Sequence, residues 1–325
     1  MITGGTGSFG RALVGRLLKD FNARKIIIFS RDELKQSQMA EEFPVEIHPN
    51  IRFFIGDVRD ESRLELAMRD VDYLIHAAAM KQVPAAEYNP IECINTNVYG
   101  AENIVRAALR TNVSKIIALS TDKATNPINL YGASKLAADK IFVAANNLSG
   151  ENGPKFGVVR YGNVIGSRGS VLELYKKLLD QGAEKLPITD LRMTRFWITV
   201  EQGVEFVLSS LQAMNGGETY VPKIPSMKIT DFASAIAPGL PHEVIGIRPG
   251  EKLHEIMISA DDAHLTLEYP DRYVILPSGR GKTVCSVLGE AQTVRDRFEY
   301  SSDKNSEWLD PSDLNKMISG MGGFT

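Results

Sequence analysis

Cysteine is nearly absent from this chain of 325 residues: Cys93 and Cys285 stand far apart and form no C-x-x-C pair. That scarcity argues against a disulfide framework and against a thiolate metal site. Histidine is also sparse, and His48, His76, His242, His254 and His264 share no i, i+4 or other metal-type spacing. No metal is expected. No apolar run approaches the roughly 20 residues of a membrane helix, and Met1-Ile2 with glycine close behind lacks the form of a signal peptide. An excess of positive charge is missing too. With 37 Lys plus Arg against 40 Asp plus Glu, the net charge is −3, which disfavours binding to a phosphate backbone. Trp197 and Trp308, the only tryptophans, read as a core anchor and a tail anchor. What remains is a soluble, cytoplasmic α/β-type protein without nucleic-acid or membrane partners. At roughly 150 residues per domain its length suggests about two domains.

Glycine is plentiful, with 27 residues, and it clusters. Short apolar runs at 25–29, 51–55, 71–75 and 115–119, with a later one at 155–160, read as buried parallel strands. Helix-like segments at 10–19, 62–69 and 97–111 lie between them. This alternation predicts a doubly wound parallel sheet of the Rossmann type. The second half loses the alternation and is punctuated by Pro222, Pro225, Pro238, Pro241 and Pro249. We therefore expect a dinucleotide-binding domain over 1–165. Residues 166–325 should form a smaller substrate-binding domain, interleaved with returns to the sheet. Residues 300–325 read as a polar, loosely ordered tail with Met317-Ile318 as its apolar pair.

The strongest local motif is Thr3-Gly4-Gly5-Thr6-Gly7-Ser8-Phe9-Gly10. Gly4 would permit the strand-to-helix turn, Gly7 the approach of a pyrophosphate, and Gly10 close packing of helix on sheet. The helical pattern and strand that follow supply the context the motif needs. Ser30-Arg31 stands where a sheet of this kind chooses its cofactor, and an arginine there favours the 2′-phosphate of NADP. Asp32 and Glu33 keep NAD open, or serve as first-turn helix acids. Asp57 and Val58 are placed to contact adenine, unless Asp60 or Ser62 merely caps a helix there. After His76, the small Ala77, Ala78 and Ala79 would let backbone approach the nicotinamide ribose, or else allow tight helix packing.

Tyr131 and Lys135 lie four apart and so share a helix face. The ammonium is expected to lower the phenol's pKa toward neutrality and make Tyr131 a base. Directly upstream, Thr121, Asp122 and Lys123 close a strand at the end where parallel sheets place their active sites. Thr121 would bond a substrate hydroxyl. Asp122 and Lys123 would add an acid and a base beyond what hydride transfer needs, unless they are a loop salt bridge.

These motifs, with Ala78-Ala79-Met80-Lys81-Gln82-Val83-Pro84, Asn95-Thr96-Asn97-Val98-Tyr99-Gly100 and Arg160-Tyr161-Gly162-Asn163-Val164, resemble the extended short-chain dehydrogenase/reductase family over essentially the whole chain. Within it the sequence is most similar to the inverting UDP-N-acetylglucosamine 4,6-dehydratases of pseudaminic acid synthesis. Thr-Asp-Lys is the discriminating triplet, because retaining sugar dehydratases of this fold typically carry Asp-Glu there. Tyr131 separates the chain from relatives that have methionine at that position.

The resemblance implies NADP, bound by Thr3, Gly4, Thr6, Gly7, Ser8, Phe9, Gly10, Ser30, Arg31, Asp57, Val58, Ala77, Ala78, Ala79, Lys81, Asn97, Tyr131 and Lys135. It implies a UDP-sugar held by Lys81, Asn163, Arg195, Arg248 and Glu251. In the implied reaction Tyr131 deprotonates the C4 hydroxyl, Lys123 removes the C5 proton as a neutral amine, and Asp122 protonates the departing C6 hydroxyl. The product is a UDP-4-keto-6-deoxy sugar for surface glycan or flagellin sugar synthesis. Lys135 and partial burial are expected to depress the Lys123 pKa. A homo-oligomer is implied, with a hexamer as the size considered, built on the helix of Tyr131 and on 97–111. A UDP-sugar 4-epimerase and a non-catalytic dinucleotide sensor are the alternatives. One departure concerns the first strand, which Met1-Ile2 leaves too short for a sheet centre, so several upstream residues are expected. A chain extended there by apolar residues should be more stable, and equal melting temperatures for the two forms would overturn that expectation.

Overall fold

A computed structural model describes residues 1–279 and 286–320, and Cys285 lies outside the described residues. The first half alternates as expected. In order it contains β1 (Ile2–Thr3), α1 (Ser8–Asp20), β2 (Ile26–Ser30), α2 (Glu33–Glu42), β3 (Ile51–Ile55), α3 (Glu61–Ala67) and β4 (Tyr73–His76). Then come α4 (Val83–Tyr88), α5 (Pro90–Ile94), a π-helical turn Asn95–Tyr99, α6 (Gly100–Leu109), β5 (Lys115–Thr121), α7 (Leu130–Ala145) and β6 (Lys155–Tyr161). These six strands are parallel and ordered β3-β2-β1-β4-β5-β6. The expected doubly wound sheet is therefore present. Every residue of β2 is buried, as befits a strand covered on both faces by helices.

The chain order reverses between β1 and β4, which opens a crevice at the carboxyl ends of the strands. Short as it is, β1 sits in the middle of the sheet, with Ile2 opposite both Ile28 and Ile75.

The second half crosses back. Thr219–Pro222 runs parallel beside β6, and Arg272–Ile275, Thr266–Glu268 and Gln292–Thr293 extend the sheet antiparallel to ten strands. The remainder packs round its own cluster, in which Trp197 stacks on Phe232 with centroids 4.4 Å apart. Trp308 is a partly exposed anchor whose Nε1 donates to Asn305 O at 2.7 Å.

Of the expected loose tail at 300–325, residues 321–325 lie outside the described residues, and 300–319 are not loose as their polarity suggests. Tyr300–Ser301 pairs with Ile256–Ile258, and the helix Pro311–Ser319 buries Leu314, with Met317 and Ile318 beside it, in the Trp197 cluster. One apolar stripe is enough to order a polar helix when a cluster waits to receive it.

At the end of β4, His76 is buried and its Nδ1 lies 2.7 Å from Thr3 Oγ1. Burial, with Lys135 adding to it, pushes the imidazole down from 6.5 to about 3. The folded form therefore binds fewer protons than the unfolded chain across that window, and this contribution is present above pH 6.5 and lost as pH falls toward 3. Replacing His76 by Gln should flatten the pH dependence of stability by about one proton over that interval, as measured by urea denaturation at a series of pH values.

Candidate active site

Three elements converge at the carboxyl end of β5. A 3-10 turn, Asp122–Ala124, follows the strand directly, with Thr121 as its N-cap. Helix α7 starts at the Asn129 cap, whose Oδ1 accepts from Gly132 N at 2.7 Å. Gly132 lies so close to the turn that a Cβ there would sit 2.2 Å from Lys123 O. That approach is what carries Tyr131 up to Thr121 and Lys123.

Within the pocket, Thr121 Oγ1 donates to Asp122 Oδ1 at 2.9 Å. Lys123 Nζ donates to the same oxygen at 3.0 Å and to Asn163 Oδ1 at 3.3 Å. A further carboxylate, Glu255, brings Oε1 to 3.3 Å from Lys123 Nζ. Asp122 is fully buried and its Oδ2 has no hydrogen-bond partner.

The electrostatics correct two expectations. Tyr131 is not held near neutrality by Lys135: burial pushes its phenol up to about 12, against downward pulls from the Lys123 charge and a Thr121 hydrogen bond. Lys135 instead donates to Leu119 O of β5 at 2.6 Å. Nor is Lys123 depressed. Burial disfavours its charge, but Asp122 and Glu255 outweigh that cost and raise its pKa above the ordinary lysine value. The protein alone therefore holds a protonated Lys123 between two carboxylates.

The crevice beside this pocket has the form of an anion cradle. Helix α1 has Gly7 as its N-cap, without a side-chain cap bond or an acid in the first turn, so its first N–H groups are open to a phosphate. Gly4, at φ +67°, leaves space where a Cβ would meet Ala78 N at 2.8 Å. The close contact brings the glycine loop against Ala77 and Ala78 at the end of β4. Thr3 is engaged with His76, and Thr6 accepts from Arg11 Nε through its carbonyl at 3.4 Å. Phe9 packs on the main core, so among the loop residues it acts as packing. The cradle fits the pyrophosphate of a dinucleotide.

Around the outer end, Ser30 is pinned by Gln36, and the exposed Arg31 lies 3.7 Å from Asp57 Oδ2. Asp57 is also paired with Arg59, while Val58 is core rather than surface. Asn97 differs from the expected ligand. Buried in the π-helical turn, it accepts from Met80 N at 2.8 Å and donates to Ser134 Oγ at 2.9 Å, so it fixes the backbone that follows Ala79. Lys81 Nζ donates to Arg168 O at 2.7 Å, and Arg168 N reaches Ser8 Oγ at 3.4 Å. The loop at 166–170 thus lies over the cradle.

Substrate-side residues divide. Asn163 is in the pocket on Lys123. Arg248 and Glu251 pair at 3.3 Å, Glu251 Oε2 is buried without a hydrogen-bond partner, and their segment is tied to α7 by Asn129 Nδ2 donating to Gly250 O at 2.7 Å. Arg195 is a correction. It is buried, and its guanidinium donates to Thr194 O, Leu253 O and Lys252 O at 2.7, 3.1 and 2.9 Å. Committed to these carbonyls, it builds the wall of the site instead of reaching for a phosphate.

Comparison with known proteins agrees with this architecture. A family model described as polysaccharide biosynthesis protein matches residues 1–277. The chain belongs to this family. A Campylobacter jejuni relative named UDP-N-acetylglucosamine 4,6-dehydratase (inverting) is 58% identical over 100% of this chain and 98% of its own length. A Rickettsia canadensis protein named UDP-glucose 4-epimerase is 42% identical over 98% and 94%. Among solved structures, Pen from Bacillus thuringiensis superposes with a TM-score of 0.89 at 34% identity, covering 98% of this chain and 96% of that one. DesIV from Streptomyces venezuelae, at 22% identity and a TM-score of 0.68, covers 78% and 85% and shares the fold. The resemblance read from the sequence motifs is borne out.

In this family member the residue that motif reading did not assign is Glu255. It ends the run Arg248 to Glu255, and a carboxylate three residues past Lys252 gave no spacing signal, because its partners come from other elements. The same holds for Asp139. Its carboxylate accepts from Ser120 Oγ at 2.7 Å and from Arg160 at 3.3 Å, beneath the pocket floor.

Arg195→Gln should lower stability by about 3 kcal/mol, because it leaves buried carbonyls and a carboxylate without their donor. Chemical denaturation measures it. An unchanged midpoint with lost substrate binding would restore the phosphate-ligand reading.

Proposed function

We propose that the protein is an NADP-dependent UDP-N-acetylglucosamine 4,6-dehydratase that inverts C5, a hydro-lyase acting in the cytoplasm as a homo-oligomer at the start of pseudaminic acid synthesis. The observation that carries this reading is the Asp122–Lys123 pair, 3.0 Å apart beside buried Tyr131. Oxidation at C4 needs a phenol near a hydroxyl. Only an elimination needs a further acid and base on the same substrate.

The cradle at α1 would hold the pyrophosphate of the cofactor, with Ala77 and Ala78 against its nicotinamide ribose. Arg31 favours a 2′-phosphate, because Asp57 is neutralised by Arg59 and leaves the guanidinium side of that pair accessible. When bound, NADP supplies hydride acceptance from C4 and hydride return to C6.

This chain's residues do the rest. Thr121 orients the C4 hydroxyl, and Tyr131 takes its proton as phenolate, after giving up its own proton against the burial that holds it near 12. The resulting 4-keto group acidifies the C5 proton, which Lys123 takes while Asp122 gives a proton to the leaving C6 hydroxyl; C5 is then protonated on the opposite face. The reactive form of the pair is a tautomer of the ion pair, with one proton moved from Nζ to Asp122 across 3.0 Å. No net charge enters or leaves the site. Asn163 and Lys81 would contact the sugar, Arg248 the pyrophosphate and Glu251 the uridine.

An epimerase is the second reading, favoured by the 42% identical relative of that name. Incubation with UDP-N-acetylglucosamine in D₂O, followed by proton NMR, separates the two. The expected result is a 6-methyl signal with deuterium at C5; a galacto product would mean epimerisation, and no change would favour a sensor. Lys123→Ala should abolish C5 exchange, and exchange at the normal rate would remove Lys123 as the base.

A further inference from the structure

The pocket holds more charge than the proposed chemistry uses. Lys123 faces Asp122 on its own turn, Tyr131 on α7, Asn163 at the start of the short strand Asn163–Val164, Arg195 on Thr194–Ile198, and Lys252 and Glu255 on the segment behind them. Glu255 is only 2% exposed. Besides Lys123 at 3.3 Å it has Arg195 Nε at 3.8 Å and Lys252 Nζ at 4.0 Å, and its Oε2 accepts no hydrogen bond. Its position is fixed through the backbone: Glu255 N donates to Ser302 Oγ at 3.0 Å, and Ser302 N donates to Glu255 O at 2.8 Å. A carboxylate buried this deeply and built in this firmly is not a surface counter-ion.

The two carboxylates on Lys123 are not equivalent. Among the described residues, Asp122 has no cation within ion-pair distance except Lys123, whereas Glu255 has three. Protonating Glu255 would strand Arg195 and Lys252 in a buried site. Protonating Asp122 would strand only Lys123, and not even that once the proton has come from Lys123 itself.

We propose, resting on the dehydratase reading, that Glu255 is a positioning residue for the elimination. It stays charged throughout, holds the Lys123 nitrogen toward C5 and balances the ammonium that forms there, leaving Asp122 as the carboxylate that exchanges a proton with Lys123. The step balances on these groups. Lys123 Nζ gains the C5 proton, the C5–H electron pair becomes the C5–C6 double bond, the C6–O bond breaks, and the Asp122 proton leaves with the hydroxyl as water. The pair ends as Lys123 ammonium and Asp122 carboxylate, the state present in this structure.

The test is deuterium incorporation at C5 when the 4-keto-6-deoxy sugar of uninverted C5, whose C5 proton still lies on the Lys123 face, is incubated with enzyme in D₂O, measured as a function of pH. Exchange from this uninverted ketone needs no hydride transfer, so it reports on proton removal by Lys123. The rate rises with pH as Lys123 becomes an amine. In Glu255→Gln the rising limb should move to lower pH by about one unit, through loss of the carboxylate that favours the ammonium. The maximal rate should fall about tenfold or more, as expected for a displaced base. Lys252→Met should move the limb the opposite way, because it removes a cation and leaves the carboxylate. Glu255→Asp, which keeps the charge, should keep the wild-type limb at a reduced rate.

Opposite shifts in the two charge variants are a pattern that loosened packing does not produce. An unmoved limb in both Glu255→Gln and Lys252→Met, with exchange intact in the wild type, overturns this inference alone. A wild type that exchanges nothing overturns the dehydratase reading with it.

Discussion

A protonated lysine held between two buried carboxylates is the constraint on which the rest of the site depends. Burying one such ion costs several kcal/mol, and pairing recovers that cost only where geometry is tight and the remaining lone pairs are met. Lys123 meets the first condition, with Asp122 at 3.0 Å and Glu255 at 3.3 Å, but not the second. The unmet oxygens, Asp122 Oδ2 and Glu255 Oε2, lie in this same cluster. Leaving polar atoms unpaired is costly in a fold and useful in a site that must accept or release a proton.

Much of the architecture can be understood as holding that cluster in place. The parallel sheet delivers Thr121 and Asp122 at the end of β5, and α7 presses Gly132 against Lys123 O, leaving no space for even a methyl group. Arg195 clamps the carbonyls of Lys252 and Leu253, which sets Glu255 opposite Lys123. Beneath them Asp139, Ser120 and Arg160 tie α7 to β5 and β6, and Arg160 reaches across to Met257 O at 2.9 Å. A buried guanidinium thus links the parallel sheet to the segment that carries Glu255. The glycine loop at α1 and the Asp122–Lys123 pair stand on the same sheet.

The two halves of the chain were unequally legible. Runs of β-branched residues separated by helical spacing carry a strong local signal, and the six parallel strands follow from it. Asn97 illustrates the limit. Its motif pointed to the cofactor, yet the side chain spends its hydrogen bonds on Met80 and Ser134, partners separated from it by 17 and 37 positions. Arg195 misled in the same way, since an arginine beside a substrate pocket looks alike whether it faces a phosphate or a row of carbonyls. The helix Pro311–Ser319 was hidden because Leu314 has meaning only next to Trp197 and Phe232.

By itself, the order of residues determined the sheet, the glycine turn and the pairs Tyr131–Lys135 and Asp122–Lys123, because each depends on spacing along one strand, turn or helix. Only the tertiary structure decided their charge states and their company. Burial sets Tyr131 near pKa 12, and Glu255 arrives opposite Lys123 from 132 residues further along the chain. Desolvation and long-range Coulomb interaction depend on distance in space, which no local pattern encodes.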